Sequence, residues 1–302
     1  MKVLFISDYS LDHSKGGAQR SNDIIYHEGK NRGHDITMLH IDMEHQNILK
    51  QVYDLVISSN MEAFYSYKKD VLEYCFEAKN HVRLEHDMCM YLDKDSRKKL
   101  FSNCEKTFFL TDHHYNKFVQ FYGDIFKNVE IVPDPIDTSK FYNMEKKREN
   151  KVLYVGFMHK LKGTENFIRY VIAHPQTSFV VAGWGNEVFE GFMKANYNVD
   201  FLGQLNYDDM PELYNKYDTM FCFPELDEPF CRSVGEALAC GIGSFICNEK
   251  IGSLNMAKTD VDFLQKCASA DKTFWDICRV ENIWMVRLTI DSCPKCTIPH
   301  YT

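Results

Sequence analysis

In the stretch Glu228-Pro-Phe-Cys-Arg-Ser-Val-Gly-Glu236, two carboxylates flank a proline, an arginine and small residues. Pro229 suits the first position of a helix, where a missing N–H costs nothing. Phe230 to Cys240 are small or apolar apart from Arg232, Ser233 and Glu236, and Gly241 follows as a C-terminal stop. A helix starting at Pro229 would offer the N–H groups of Phe230, Cys231 and Arg232 to an anion. At about 1.5 Å of rise per residue, the two carboxylates would stand roughly 10–12 Å apart along the axis. That is too wide for one acid and base acting on a single glycosidic bond. It suits an elongated ligand with hydroxyls at both ends and a phosphate between them. The plainer alternative is an acid favoured by the helix dipole plus a solvated Glu236.

Other loops carry groups of the same kind. In Ser14-Lys-Gly-Gly-Ala-Gln-Arg20, adjacent Gly16 and Gly17 let a backbone approach a phosphate closely. No third glycine follows at the spacing of a dinucleotide fingerprint, and a plain flexible loop is the alternative. His86 and Asp87 close the strand-like run ending Leu84-Glu85; a histidine there either donates to a ligand or is structural. Lys160 and Lys162 precede a helical pattern, and two cations at a helix start oppose its dipole unless an anion joins them. Gly183 and Gly185 follow a strand pattern, a weak signal by itself.

These loops need elements to aim them. With 302 residues, 45% of them apolar and 26% charged, the chain can build two sizeable cores. Strand and helix patterns alternate from Met1 to about residue 137, pass through the charged segment 143–150, and restart at Lys151. This predicts α/β architecture: two doubly wound parallel sheets, with 143–150 as a solvated linker. The expected divisions are 1–146, 147–280 and a tail 281–302. Ligands of such folds bind beyond the carboxyl ends of the strands, where these loops lie. A net charge of −8 argues against nucleic acid as the main partner. No run approaches the length of a membrane span or signal core, and eleven cysteines without a framework spacing read as reduced thiols of a cytoplasmic protein.

Taken in order, Gly-Gly, a strand-end His, Lys-x-Lys-Gly, Gly-x-Gly and the two glutamates resemble the retaining GT-B glycosyltransferases, family 4 in particular. Pro224-Glu-Leu-Asp-Glu-Pro-Phe-Cys-Arg-Ser-Val-Gly-Glu-Ala-Leu-Ala-Cys-Gly241 is similar to that family's double-glutamate signature. Val132–Phe141, Val152–Gly163 and Val199–Asp218 are similar to its interdomain, second-domain and pre-signature stretches. The resemblance, over about residues 1–255, implies two Rossmann-like domains facing across a cleft, with the acceptor on the first and a UDP-, GDP- or other nucleotide sugar on the second. It implies that Glu236 holds the ribose and Glu228 the hexose. Lys162 would neutralise the diphosphate, beside the amides of Phe230 and Cys231, and His86 would face the reacting centre. Gly16 and Gly17 would close over the phosphates, and Lys160, Gly183 and Arg232 complete the donor set. Members generally need no metal or other cofactor, and act on carbohydrate or glycolipid acceptors.

This chain departs from the family in places. Phe157 stands where an arginine is usual, which leaves Lys160 or Arg232 to replace that cation. Cys231 replaces a glycine, and Asn255 stands in a region where a Glu and Gly are usual. A catalytically weakened nucleotide-sugar binder and a nucleotide-sugar epimerase of the same architecture are the competing readings. Cys293 and Cys296 form half a zinc set, with His300 a further candidate ligand and a metal-free terminus the alternative. The aromatic stretch 62–79, with Lys68 and Lys69 beside tyrosines, suits an acceptor, a lipid surface or the core.

Overall fold

The computed structural model describes residues 1–88, 94–185 and 187–278. Val3 to Ile6 are fully buried, so β1 (Lys2–Ile6) needs a sheet covered on both faces. Val3 and Phe5 pack with Ile25, Phe274 and Trp275, whereas Leu4 and Ile6 pack with Phe64, Val71 and Leu72. Around β1 lie β2 (Asp35–Leu39), β3 (Leu55–Ser59), β4 (His81–Leu84), β5 (Lys106–Phe109) and β6 (Val129–Ile131). They form a parallel sheet in the order β2-β1-β3-β4-β5-β6.

The second sheet repeats the design. It contains β7 (Glu149–Phe157), β8 (Phe179–Trp184), β9 (Val199–Gly203), β10 (Tyr217–Cys222) and β11 (Ser244–Cys247). Its order is β11-β10-β7-β8-β9, again parallel throughout. Leu153 and Met220 belong to one core and Val152, Tyr154 and Phe221 to the other, so both faces are covered here too. Strand order reverses between β1 and β3 in one sheet and between β7 and β10 in the other. The loops after β1, β7 and β10 carry Gly16–Gly17, Lys162 and Glu228, which places them at the two switch points.

Three segments differ from expectation or refine it. The charged segment 143–150 is largely exposed, as expected of a solvated linker, but it is also fastened at Met144 and Arg148. The Arg148 guanidinium donates to the carbonyls of Tyr214, Tyr217 and Cys240 at 3.0, 2.8 and 2.6 Å, and Met144 N–H donates to Asn215. Those carbonyls close strand and helix ends that would otherwise lack donors. The apolar side chains Phe64, Val71, Leu72 and Cys75 of the 62–79 stretch face the first core, and among its described aromatic side chains Tyr67 projects well out. Finally, the Ala270–Ile277 helix returns from the second sheet to the first, where the Trp275 indole donates to the Ile25 carbonyl at 2.7 Å. Cys293, Cys296 and His300 lie outside the described residues. Among those described, no helix is long and apolar enough to cross a membrane.

Candidate active site

Between the carboxyl ends of the two sheets lies a cavity of about 910 Å³, lined from both domains. The chain enters its second-domain wall at Glu228. The N–H of Glu228 donates to Lys250 O, the N–H of Gly252 donates back to Glu228 O, and Ser253 N–H donates to Phe230 O. This strand-like pairing with residues 250–253 holds Pro229 out of the helix, which runs Arg232–Ala239 instead of starting at the proline. Cys231 caps the helix with φ +66°, a left-handed conformation uncommon for a residue with a side chain. The amides at the cavity are therefore those of Cys231, Arg232 and Ser233, while the Phe230 ring is buried against Phe263. Gly241 does end the helix, at φ +85°.

The two carboxylates reach the cavity in different states. Glu228 Oε1 lies 2.6 Å from Lys162 Nζ. Partial burial works to lower the Lys162 ammonium, and Glu228 outweighs it, so its pKa is raised. Glu236 is 4% exposed, which removes the solvated alternative. Its Oε1 accepts from Tyr207 OH at 2.7 Å and Arg232 Nε at 2.9 Å, and its Oε2 from Tyr214 OH at 3.4 Å. Burial raises the Glu236 carboxyl, and Arg232 and Tyr207 counter only part of that.

Across the cavity, His86 is buried with Nε2 3.1 Å from Asn22 Oδ1 and Nδ1 3.3 Å from Asp134 Oδ1. Burial would raise the Asp134 carboxyl, but His86 and Arg232 hold it below the usual range. Gly16 caps the Gly17–Asn31 helix, and a Cβ on Gly17 would stand 3.6 Å from Arg232 Cβ. Arg232 completes the crossing, donating to Ser21 Oγ of the first domain at 2.8 Å.

Gly183 lines the cavity where β8 passes Gly156 of β7; a Cβ there would meet Gly156 O at 1.9 Å. Lys160 does not reach the cavity. It is exposed and pairs with Glu165 at 3.8 Å, because the short turn Lys160–Lys162 points only its last lysine inward. Arg232, the other candidate for the missing cation, is committed to Glu236, Ser21 and Tyr207. Phe157 and Trp184 instead give the cavity mouth two half-exposed aromatic rings. Sequence reasoning missed Tyr207, Asp134 and Arg20, although each stands in a stretch singled out for other residues. Arg20 lies 3.5 Å above the Tyr207 ring, bridging the domains. Among the described residues no group of three or more His, Cys, Asp or Glu could hold a metal ion.

Residues 135–272 match the family model for glycosyl transferases group 1. No curated protein matches the chain by sequence. Among solved structures, Anabaena HepE in complex with UDP-glucose is similar at TM-score 0.60 and 15% identity, over 97% of this chain and 100% of that one. Sucrose-phosphate synthase from Thermosynechococcus elongatus aligns at TM-score 0.65 and 10% identity, over 97% and 100% of the chains. An alpha-glucosyltransferase solved with UDP and a 13-mer DNA aligns at TM-score 0.58 and 14% identity, over 96% and 98%. The fold is GT-B, two α/β domains about a cleft. One structure of that fold holds DNA, so a net charge of −8 does not by itself exclude nucleic acid.

Proposed function

We propose that the protein transfers a hexose from a nucleoside-diphosphate sugar to an acceptor hydroxyl, with retention of anomeric configuration. One observation carries this: Glu236, Lys162 with Glu228, and a helix N-terminus converge on one wall of the interdomain cavity, opposite His86. In this reading Glu236 takes the ribose hydroxyls and Glu228 the hexose. The departing diphosphate meets Lys162 and the amides of Cys231 to Ser233, fixed donors that need no reorganisation as charge develops. His86, held by Asn22 and Asp134, meets the sugar from the other side. The two domains orient the reactants and exclude water. A bound metal is no part of this proposal.

The first-domain half of the cavity is lined by Asp8, Asp12, Asp87 and Asp134. Lys15 and Arg20 line the same half, so acidic side chains outnumber basic ones four to two, a balance that disfavours a polyphosphate acceptor and suits the hydroxyls of a carbohydrate or glycolipid. Free thiols at eight described cysteines fit a cytoplasmic setting. The test is a thermal-shift screen with UDP-, GDP-, ADP- and dTDP-sugars, since a ligand of the native state raises its melting point. Hydrolysis of the stabilising donor is then assayed. No shift with any donor rejects the reading; a shift without turnover identifies a binder that has lost catalysis.

A further inference from the structure

Cys222 ends β10 and Cys231 caps the following helix, and their sulfur atoms stand 3.7 Å apart. Both thiols line the interdomain cavity and both residues are partly exposed. The loop between them carries Glu228, the partner of Lys162. Cys231 holds a left-handed backbone that glycine adopts with less strain, so a thiol is kept here at a conformational cost.

We propose that Cys222 and Cys231 are a reversible disulfide couple that gates the donor site, an inference that rests on the nucleotide-sugar reading above. A disulfide bond is about 2.05 Å long, so oxidation draws the sulfurs together by roughly 1.6 Å. The strand end and the helix cap move toward each other, and the amides of Cys231 and Arg232 leave the positions that meet the diphosphate. Displacements on the order of 1 Å at reacting groups cost about 100-fold in rate.

The chemistry has a defined order. Cys231 stands at the N-terminus of the Arg232–Ala239 helix, which favours a thiolate, and the hydrogen bond it shares with Cys222 lowers its pKa against burial and Glu228, with smaller help from Lys162 and Ser233. Cys231 is therefore the attacking thiolate and Cys222 the resolving thiol. With oxidised glutathione as the oxidant, the Cys231 sulfur attacks one glutathione sulfur, the glutathione S–S bond breaks, and one glutathione leaves and takes up a proton. Cys222 then loses its proton and attacks the Cys231 sulfur of the mixed disulfide, releasing the second glutathione. Two protein thiols are oxidised and one glutathione disulfide is reduced to two thiols.

The test treats the whole protein with oxidised glutathione and maps its peptides without reduction. A Cys222–Cys231 link is expected, with nucleotide-sugar turnover at least ~10-fold lower and recovered by dithiothreitol. Cys222→Ser should accumulate a glutathione adduct on Cys231 that the native protein resolves. Cys231→Ser should keep the same turnover, treated or untreated, relative to its own baseline. Absence of the link, or a link that leaves turnover and binding unchanged, overturns the couple or its gating. If the reduced protein binds no nucleotide sugar, the donor reading falls and the gating with it, while the peptide map decides separately whether the couple exists.

Discussion

Glu236 is organised before any ligand arrives. A carboxylate has about four acceptor positions; Tyr207 and Arg232 fill Oε1, and Tyr214 takes one place on Oε2 at a long 3.4 Å. That leaves Oε2 able to accept one ligand hydroxyl. Glu236→Gln keeps the volume but removes the charge-assisted bond, worth about 1.5–3 kcal/mol, so nucleotide-sugar affinity should fall roughly 10- to 150-fold by calorimetry. Alanine is the poorer probe, because it also strands the buried Arg232 and lowers stability. Lys162 calls for a different readout. Its charge is already partnered by Glu228, so in the proposed reaction its gain comes when the diphosphate departs. Lys162→Ala should lower kcat on the order of 100-fold or more while shifting the donor Kd far less. Equal losses in both would make it a ground-state binding residue. These acids and this lysine were legible because spacing fixes which residues share a loop end. Tyr207 was not, since its position over Arg20 and beside Glu236 is created by tertiary contact.

Individual elements show why local signals succeed or fail. Strands β1 and β7 are apolar on both faces, which only a covered parallel sheet explains, and they were readable. The helix start was misplaced by three residues. Pro229 is a good local start signal, but main-chain pairing of Glu228 and Phe230 with residues 250–253 overrides it. The 143–150 segment is solvated as its polar composition says, but that composition conceals an arginine whose partners are carbonyls on distant elements. Elements also set a pH dependence. His81 on β4 and His114 in the first turn of the Asp112–Tyr122 helix are fully buried, and burial pushes both down to about 3. His114 Nδ1 accepts the Leu110 N–H, which requires the neutral ring. Above the ordinary histidine value the folded and unfolded chains are both neutral there, and stability is unaffected. As pH falls from about 6.5 the unfolded chain binds protons that the folded one refuses, costing up to about 1.4 kcal/mol per pH unit for each histidine. Melting temperature should therefore fall from pH 6.5 to 5. His81→Gln, which can keep a bond to Ser58, should make that slope shallower; an unchanged slope would mean that His81 titrates normally.

At the scale of the whole molecule, the two domains are joined by more than the connecting strand. Arg232 reaches Ser21, Thr111 Oγ1 donates to Pro229 O at 2.8 Å, and His113 lies 3.0 Å from Asp227. The end of the described chain adds the Ala270–Ile277 helix, which belongs to the first core although it follows the second sheet. Its apolar spacing was visible in the sequence, but nothing local says which sheet it covers. Trp275 settles that choice physically. Its ring is fully buried, its N–H satisfies the Ile25 carbonyl, and a Cβ on Gly29 would come within 2.3 Å of the ring. Removing the side chain opens a large cavity in the first core, so Trp275→Ala should cost about 3–5 kcal/mol in urea denaturation. The loss falls on the first domain. Glu228, Lys162 and Glu236, proposed to hold the nucleotide sugar, stand in the second, and the melting-point rise on adding donor should persist below the variant's lowered transition. Loss of the donor-induced rise together with stability would show that the helix holds the cleft itself in register, and unchanged stability would show that the helix is peripheral to the first core.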